Sequence, residues 1–156
     1  MTKPAYHIRK ATIDDVGQIE EITNAAYSKW IARIGRKPLP MTADYPTAIS
    51  NHRVDLIEQD DKVIGLIETV PTDLFLHIES VAVSPNHQRK GIGRRLLDHA
   101  EQVAQASGLS ELRLYTNEQF EGNVALYQKC GYRIRGREAI EGGVRVDMVK
   151  CIERRR

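Results

Sequence analysis

An apolar run, a glycine-containing turn and an amphipathic pattern follow one another between Phe75 and Arg95. The run ends in Val81-Ala82-Val83-Ser84-Pro85, and the turn reads Gln88-Arg89-Lys90-Gly91-Ile92-Gly93. Apolar residues then recur at helical spacing until Ser107-Gly108, a typical helix stop. The recurring residues are Ile92, Leu96, Leu97, Ala100, Val103 and Ala104. This order predicts a strand that leads through a tight turn into a helix.

The turn has the features of an anion site. The first turn of a helix leaves backbone N–H groups without intrahelical partners and carries the positive end of the helix dipole. Gly91 and Gly93 have no Cβ, so the backbone can approach a ligand closely. Basic residues surround them: Arg89, Lys90, Arg94 and Arg95. We expect a diphosphate to bind here; a plain connection with a solvated basic face is the alternative.

Two common nucleotide motifs do not fit this turn. A dinucleotide fingerprint requires a third glycine where Leu96 stands. A P-loop ends in Gly-Lys-Ser/Thr, which is absent here. The turn instead resembles the acyl-CoA loop of the GNAT acetyltransferase superfamily, a Gln/Arg-x-x-Gly-x-Gly/Ala pattern matched by Gln88, Gly91 and Gly93.

A second motif strengthens the resemblance. The segment Asn123-Val124-Ala125-Leu126-Tyr127-Gln128-Lys129-Cys130-Gly131-Tyr132 is similar to the C-terminal signature of that superfamily. Cys130 replaces a common aliphatic residue, and Tyr132 replaces the usual Phe. The similarity extends from Ile8-Arg9-Lys10-Ala11-Thr12 to Arg145-Val146-Asp147-Met148 and is weakest over residues 27–51.

The resemblance implies a GNAT-like α/β (α+β) fold: a mixed, mostly antiparallel sheet of about seven strands, flanked by helices. It also implies that the strand Ser80 to Ser84 splays from a parallel strand, Leu112 to Thr116, and that acetyl-CoA binds as co-substrate. The Val81 and Val83 backbones and the Asn123 side chain would contact the pantetheine arm. The expected cofactor-binding residues are Val81, Val83, Gln88, Arg89, Lys90, Gly91, Ile92, Gly93, Arg94 and Asn123.

Tyr127 and Glu79 are the expected catalytic residues of an amine N-acetyltransferase. Tyr127 matches the family tyrosine that faces the thioester sulfur, where its phenol would donate to the leaving thiolate. An ammonium must lose a proton before it attacks. Alternation along a strand would place His77, Glu79, Val81 and Val83 on one face, and the resemblance favours Glu79 over His77 as the base. Packing alone for Tyr127 and a surface ion pair for Glu79 are the alternatives.

The acceptor amine is not specified by the sequence. Trp30, Arg33, Arg36, Asp44 and Tyr45 lie in the segment that lines the acceptor side in relatives, and we expect Trp30 and Tyr45 to bind substrate. These residue types suit peptides, polyamines, aminoglycosides and small amines equally. A covalent cysteine route is disfavoured, because Cys130 ends a helix, where the dipole opposes a thiolate.

Composition is that of one ordinary globular domain. The chain has 156 residues, 41% hydrophobic and 28% charged, with a formal charge of +2. We expect a single domain with a core over about 6–151 and a basic tail over 152–156. Cys130 and Cys151 do not form a Cys-x-x-Cys pair, and no apolar leader or bilayer-length segment is visible, so we expect a cytoplasmic protein without membrane contact. The five histidines show no metal-ligand spacing, so we expect no metal.

Further strands and helices follow from pattern. We expect strands Tyr6 to Arg9, Arg53 to Gln59, Lys62 to Val70, Leu74 to Ser84, Leu112 to Thr116, Tyr132 to Arg137 and Val144 to Lys150. Thr12 and Asp15 predict a capping box before a helix that carries Val16, Ile19, Ile22 and Ala26 inward. A second helix should span Asn123 to Lys129. Residues 30–46 should be mostly loop, with a short helix after Thr42.

Two other functions compete with catalysis. The same acyl-CoA cradle would serve a non-catalytic sensor or regulatory module. The arginines near the turn and at residues 154–156 would serve a nucleic-acid binder, but aromatic and basic residues do not interleave, so we expect no nucleic-acid partner. The C-terminal strands of such domains commonly pair with another subunit, so we expect a homodimer.

Overall fold

The computed structural model describes residues 5–153. The strands are β1 (Tyr6–Lys10), β2 (Arg53–Gln59), β3 (Lys62–Pro71), β4 (Leu76–Val83), β5 (Glu111–Asn117), β6 (Arg133–Ile140) and β7 (Gly143–Cys151). The helices are α1 (Val16–Tyr27), α2 (Ile31–Ile34), α3 (Tyr45–Asn51), α4 (Ile92–Ala106) and α5 (Glu121–Lys129). Residues 154–156 of the expected basic tail lie outside the described part.

The strands form one seven-stranded sheet in the order β1-β2-β3-β4-β5-β7-β6. Neighbouring strands are antiparallel except β4 and β5, which run parallel. The parallel pair needs a crossover, and α4 supplies it. The predicted mixed, mostly antiparallel sheet flanked by helices is therefore confirmed.

Two hydrophobic clusters hold the helices against opposite faces of the sheet. Buried side chains of α4 and α5 pack in one cluster with Ile67 of β3 and Leu112 of β5. Buried side chains of α1 and α3 pack in the other cluster with Leu56 of β2 and Leu66 of β3. Burial of these apolar side chains on both faces provides the main stabilisation of the sheet.

Local signals account for most element boundaries. The Thr12 backbone N–H donates to the Asp15 carboxylate at 2.8 Å, which confirms the capping box. Asp60 and Asp61 both have positive φ, 51° and 65°, as a two-residue hairpin turn requires. The 30–46 segment is more helical than predicted, because α2 and a 3-10 turn at Leu39–Thr42 precede the expected short helix α3.

The parallel pairing between β4 and β5 is short. Leu76 pairs with Leu112 and Ile78 with Leu114, and the ladder ends there. The rest of β4, towards Val83, has no partner on β5 among the described residues. This is the splay that the family resemblance implies.

A β-bulge at Glu79 changes which side chains share a face of β4. Ile78 pairs with Thr69 and Ser80 with Glu68, so Glu79 is an extra residue between them. Before the bulge Leu76 and Ile78 pack with the α4 cluster, and after it Val81 and Val83 do so. The prediction that His77, Glu79, Val81 and Val83 lie on one face is therefore wrong, because the inserted residue reverses the alternation.

Candidate active site

Two cavities meet where β4 and β5 separate. A groove of about 740 Å³ runs along the N-terminus of α4, between α1 and α5. A smaller cavity of about 200 Å³ lies between the α2 to α3 segment and strands β4, β5 and β7. Tyr27, Val81 and Tyr127 line both cavities. A molecule in the groove and one in the small cavity would meet at these three residues.

The groove presents a helix N-terminus with open donors. Gly91 is the N-cap of α4, has φ of 80°, and leaves the first turn without a side-chain cap. A Cβ at Gly91 would meet no atom within 4 Å, so this side of the turn is open. The first intrahelical bond of the turn runs from the Arg95 N–H to the Gly91 carbonyl at 3.1 Å. The N–H groups of residues 92–94 have no hydrogen-bond partner in the part of the chain that the structure describes, so they can bind an anion.

Glycine is needed at position 93 for a different reason than at position 91. A Cβ at this position would lie 2.9 Å from Cδ2 of Leu126 in α5. The absence of a side chain therefore lets α4 approach α5 closely. Gly93 contributes to the groove by bringing the two helices together as well as by exposing its backbone.

Most of the predicted cofactor-binding residues line this groove. Val81, Val83, Gln88, Arg89, Gly91, Ile92, Gly93, Arg94 and Asn123 all do so. Gln88 also donates to the Val83 carbonyl at 3.2 Å, which ties the turn back to β4. Arg89 has φ of 63°, a strained value for a residue other than glycine. Lys90 is exposed and is not part of the groove wall.

Tyr127 is buried at the junction of the cavities. Its side chain is 6% exposed, and its ring meets the Tyr132 ring edge-on at 6.0 Å between centroids. Burial, followed by the neighbouring Tyr132 and Cys130, raises the pKa of the Tyr127 phenol well above its usual value. The phenol is therefore a protonated hydrogen-bond donor at neutral pH.

Glu79 and His77 form a pair on the wall of the small cavity. His77 Nε2 lies 2.9 Å from Glu79 Oε2, and about half of the Glu79 side chain is exposed. The hydrogen bond from His77 lowers the pKa of Glu79 despite partial burial. The Glu79 carboxylate is therefore ionised at neutral pH and faces the same cavity as Tyr127.

Sequence reasoning missed two buried residues at the site. The Tyr27 hydroxyl donates to the Val81 carbonyl at 2.8 Å, beyond the end of the β4 and β5 ladder. Burial raises the pKa of Tyr27 well above its usual value. Glu68 is 3% exposed, lies 2.6 Å from His52 Nδ1 and lines the small cavity. Two features of the sequence could have identified them: Tyr27 is an aromatic residue at the end of the apolar stripe of α1, and Glu68 is an acidic residue within a buried strand.

The two expected substrate-binding aromatic residues lie elsewhere. Trp30 packs against Phe120, with 5.0 Å between ring centroids, and lines the groove rather than the small cavity. Tyr45 is 2% exposed and its hydroxyl contacts Thr23 at 3.1 Å, so it belongs to the core and lines neither cavity. Of the residues considered for the acceptor side, Arg36 does line the small cavity.

Other chemistry finds little support in the described part of the chain. Cys130 is buried, and its burial raises the pKa of the thiol, which opposes a nucleophilic thiolate. Among residues 5–153, no three histidine, cysteine, aspartate or glutamate side chains cluster as metal ligands would. Within the same range, none of the helices combines the length and apolar character needed to cross a bilayer.

The seven-stranded mixed sheet with one parallel pair is the fold of GNAT acetyltransferase domains. Residues 18–132 match the family model described as Acetyltransferase (GNAT) family. The match covers more than half of the chain, and the chain belongs to this family.

Curated relatives and solved structures agree with that assignment. The chain is 32% identical over 103 residues to N-acetyltransferase family 8 member 3 of Rattus norvegicus, covering 60% of this chain and 45% of the relative. It is 32% identical over 65 residues to the peptidyl-lysine N-acetyltransferase YjaB of Escherichia coli, covering 42% and 41%. The chain thus spans less than half the length of these curated relatives. The PaiA N-acetyltransferase of Thermoplasma acidophilum, solved in complex with coenzyme A, has the same fold, with a TM-score of 0.81 at 22% identity over 94% of this chain and 99% of that one.

Proposed function

We propose that this chain is an acetyl-CoA-dependent N-acetyltransferase that acts on a primary amine by direct attack in a ternary complex. One observation carries the proposal: the groove at the α4 N-terminus and the small cavity meet at Tyr127. A long thioester in the groove would present its acyl end at the junction, and the small cavity would admit the amine from the opposite side.

The groove offers donors and positive charge where acetyl-CoA would place its diphosphate. The uncapped N–H groups after Gly91 and the side chains of Arg89 and Arg94 would hold the diphosphate. Val81, Val83 and Asn123 would contact the pantetheine arm along the opened edge of β4. Gln88 would keep the turn in place through its bond to Val83. Lys90, which is exposed, would contribute only long-range positive charge.

Two side chains, Tyr127 and Glu79, would assist the leaving thiolate and the attacking amine. Bound acetyl-CoA supplies the thioester: the amine nitrogen bonds to the acetyl carbon, the carbon–sulfur bond breaks, and its electron pair leaves on sulfur. The Tyr127 phenol would donate a hydrogen bond to that sulfur as negative charge develops. A thiol has a reference pKa of about 8.5, and burial raises the pKa of Tyr127 above its usual value of about 10, so the phenol would donate a hydrogen bond and keep its proton. Glu79, ionised beside His77, would accept the proton that the attacking amine loses.

The Glu79 assignment has a direct test. Glu79→Gln keeps the size of the side chain and removes the basic oxygen, so kcat/KM should fall about 100-fold. Glu118→Gln is the matched control, since the two glutamates have similar exposed fractions, 51% and 50%, and Glu118 lines neither cavity. Equal activity of the two variants would remove Glu79 from the mechanism.

The activity itself is tested by release of free thiol from acetyl-CoA in the presence of an amine panel. The panel should include polyamines, aminoglycosides, amino acids and lysine peptides. Release that depends on particular amines supports the transferase. Tight acetyl-CoA binding without release for any amine would favour the sensor or regulatory module.

We also propose that residues 6–151 act as a single N-acetyltransferase domain in the cytoplasm and form a homodimer. The support for the dimer is the position of β6 at one edge of the sheet, beside β7. An edge strand offers unpaired backbone groups to a second copy. Light scattering at two protein concentrations should give the mass of a dimer, and a monomer mass would refute this part of the proposal.

A further inference from the structure

The small cavity has an apolar wall with few charges. Its charged or titratable lining residues are Arg36, Glu68, His77, Glu79 and Arg145. Both glutamates lie beside a histidine: Glu68 is 2.6 Å from His52, and Glu79 is 2.9 Å from His77. These carboxylates provide a negative side that would attract the ammonium of an acceptor.

The two arginines differ in their partners. Arg145 donates to Glu138 at 2.8 Å and to Asp147 at 3.1 Å, and its guanidinium lies 4.4 Å from the Tyr115 ring centroid. Arg36 Nε is buried and has no hydrogen-bond partner among the residues that the structure describes. Nε is covered by the protein itself, so a ligand would instead meet the two terminal nitrogens of the guanidinium. Arg36 forms no hydrogen bond or ion pair among the described residues, and a half-buried, unpaired cation in a cavity wall favours an anionic partner from outside the chain.

The position of Arg36 is fixed by two tight turns. Gly35, with φ of 72°, ends α2 immediately before Arg36. Gly142, with φ of 86°, lies in the β6 to β7 turn, where a Cβ would be 2.9 Å from the Ile34 carbonyl oxygen and 3.4 Å from Arg36 Nε. The Arg36 side chain is therefore held between the turn after α2 and the β6 to β7 turn, with Nε covered by Gly142 and the residue in the wall of the small cavity.

We propose that the acceptor is a small amine that also bears a carboxylate, of the amino-acid type with an apolar side chain, and that Arg36 binds the carboxylate. This inference rests on the proposed acetyltransferase function and names its substrate class. A planar carboxylate accepts two parallel hydrogen bonds from a guanidinium, here from the two terminal nitrogens of Arg36. The cavity of about 200 Å³ equals about seven water volumes of about 30 Å³ each, which suits a molecule of this size.

The other acceptor classes fit less well. A polyamine would place its second ammonium against Arg36, and like charges repel in a partly buried site. An aminoglycoside carries several ammonium groups and would meet the same repulsion. An amino acid carries one charge of each sign and fits both charged sides of the cavity. Its amine would lie towards Glu79 and Tyr127, and its carboxylate would lie at Arg36.

The test compares L-leucine with L-leucinamide, which share the side chain and the amine and differ in the carboxylate. Thiol release is measured for the wild type, Arg36→Gln and the control Lys37→Gln, which removes the same charge from the adjacent exposed residue. A charge-assisted pair predicts that the ratio of kcat/KM values, leucine over leucinamide, falls 10- to 100-fold in Arg36→Gln. Lys37→Gln should keep the wild-type ratio. Using the ratio cancels the different basicities of the two amines.

The outcomes separate this inference from the proposed function. An unchanged ratio in Arg36→Gln, with thiol release intact, overturns the carboxylate site and leaves the acetyltransferase standing. Absence of release with every amine refutes the enzyme. In that case calorimetry of L-leucine against the protein saturated with coenzyme A decides the matter: heat that disappears in Arg36→Gln supports the site, and no heat with the wild type overturns it.

Discussion

Replacement of Tyr127 by Phe isolates one hydroxyl at the junction of the two cavities. The ring stays, and with it the edge-on contact to Tyr132 at 6.0 Å. In the proposed reaction the lost group is a hydrogen bond to a sulfur that carries developing negative charge. Such charge-assisted bonds contribute about 1.5–3 kcal/mol. Because about 1.4 kcal/mol is a factor of ten in rate, kcat should fall about 10- to 100-fold.

The assay is thiol release at saturating acetyl-CoA with the best amine of the panel, together with calorimetry of coenzyme A. Affinity for coenzyme A should change less than about twofold, since the hydroxyl acts on the departing thiolate. Burial raises the pKa of Tyr127, so the phenol stays protonated and the ratio of wild-type to variant kcat should be equal at pH 7 and pH 9. A kcat within twofold of the wild type would refute the donor role.

Tyr132→Phe is the matched control. Tyr132 is 3% exposed in the same cluster, its hydroxyl is buried without a hydrogen-bond partner among the described residues, and it lines neither cavity. Its kcat should equal that of the wild type. Its free energy of unfolding should stay equal or rise by about 1 kcal/mol, because an unpaired buried hydroxyl is removed. A kcat loss in both variants would indicate disturbed packing instead of a lost donor.

Two further predictions concern stability and are checked by urea unfolding. Gly91→Ala should lower the free energy of unfolding by about 1–2 kcal/mol, because alanine resists the φ of 80°. The control is Gly17→Ala in α1, where φ is in the usual range and the space around the Cβ position is open, so this variant should not be destabilised. Equal losses in the two variants would contradict this reason. Asp15→Asn should cost up to about 2 kcal/mol at pH 7, because the hydrogen bond from Arg9 lowers the pKa of Asp15 from 3.8 to about 2. A lowered carboxylate pKa stabilises above the unfolded value, so the gap to wild type should shrink below pH 4, and a gap that is the same at pH 7 and pH 3 would rule out this cause.

The sequence predicted those elements whose signals are local. The Gln88 to Gly93 turn, the stripe of α4 and the capping box of Thr12 and Asp15 each depend on a few adjacent residues, and each lies where it was expected. The bulge at Glu79 was not predictable in this way, because it is defined by pairing with Thr69 and Glu68 on another strand. The bulge reverses the alternation of the β4 side chains that follow it, and so determines which of them line the cavities.

The acceptor side was the least predictable part of the site. Tyr45 and Trp30 have the residue types of a cation site, but their positions depend on how α1, α3 and the following loop pack. The position of Arg36 depends on its contact with the β6 to β7 turn, where Gly142 lies more than a hundred residues further along the chain. Long-range contacts of this kind leave no local pattern.

A crystal structure of the protein with acetyl-CoA tests the proposed site most directly. We expect the diphosphate to lie within hydrogen-bond distance of the backbone N–H groups after Gly91, and the thioester sulfur to lie beside the Tyr127 hydroxyl. Acetyl-CoA bound elsewhere, or a diphosphate away from the α4 N-terminus, would contradict it.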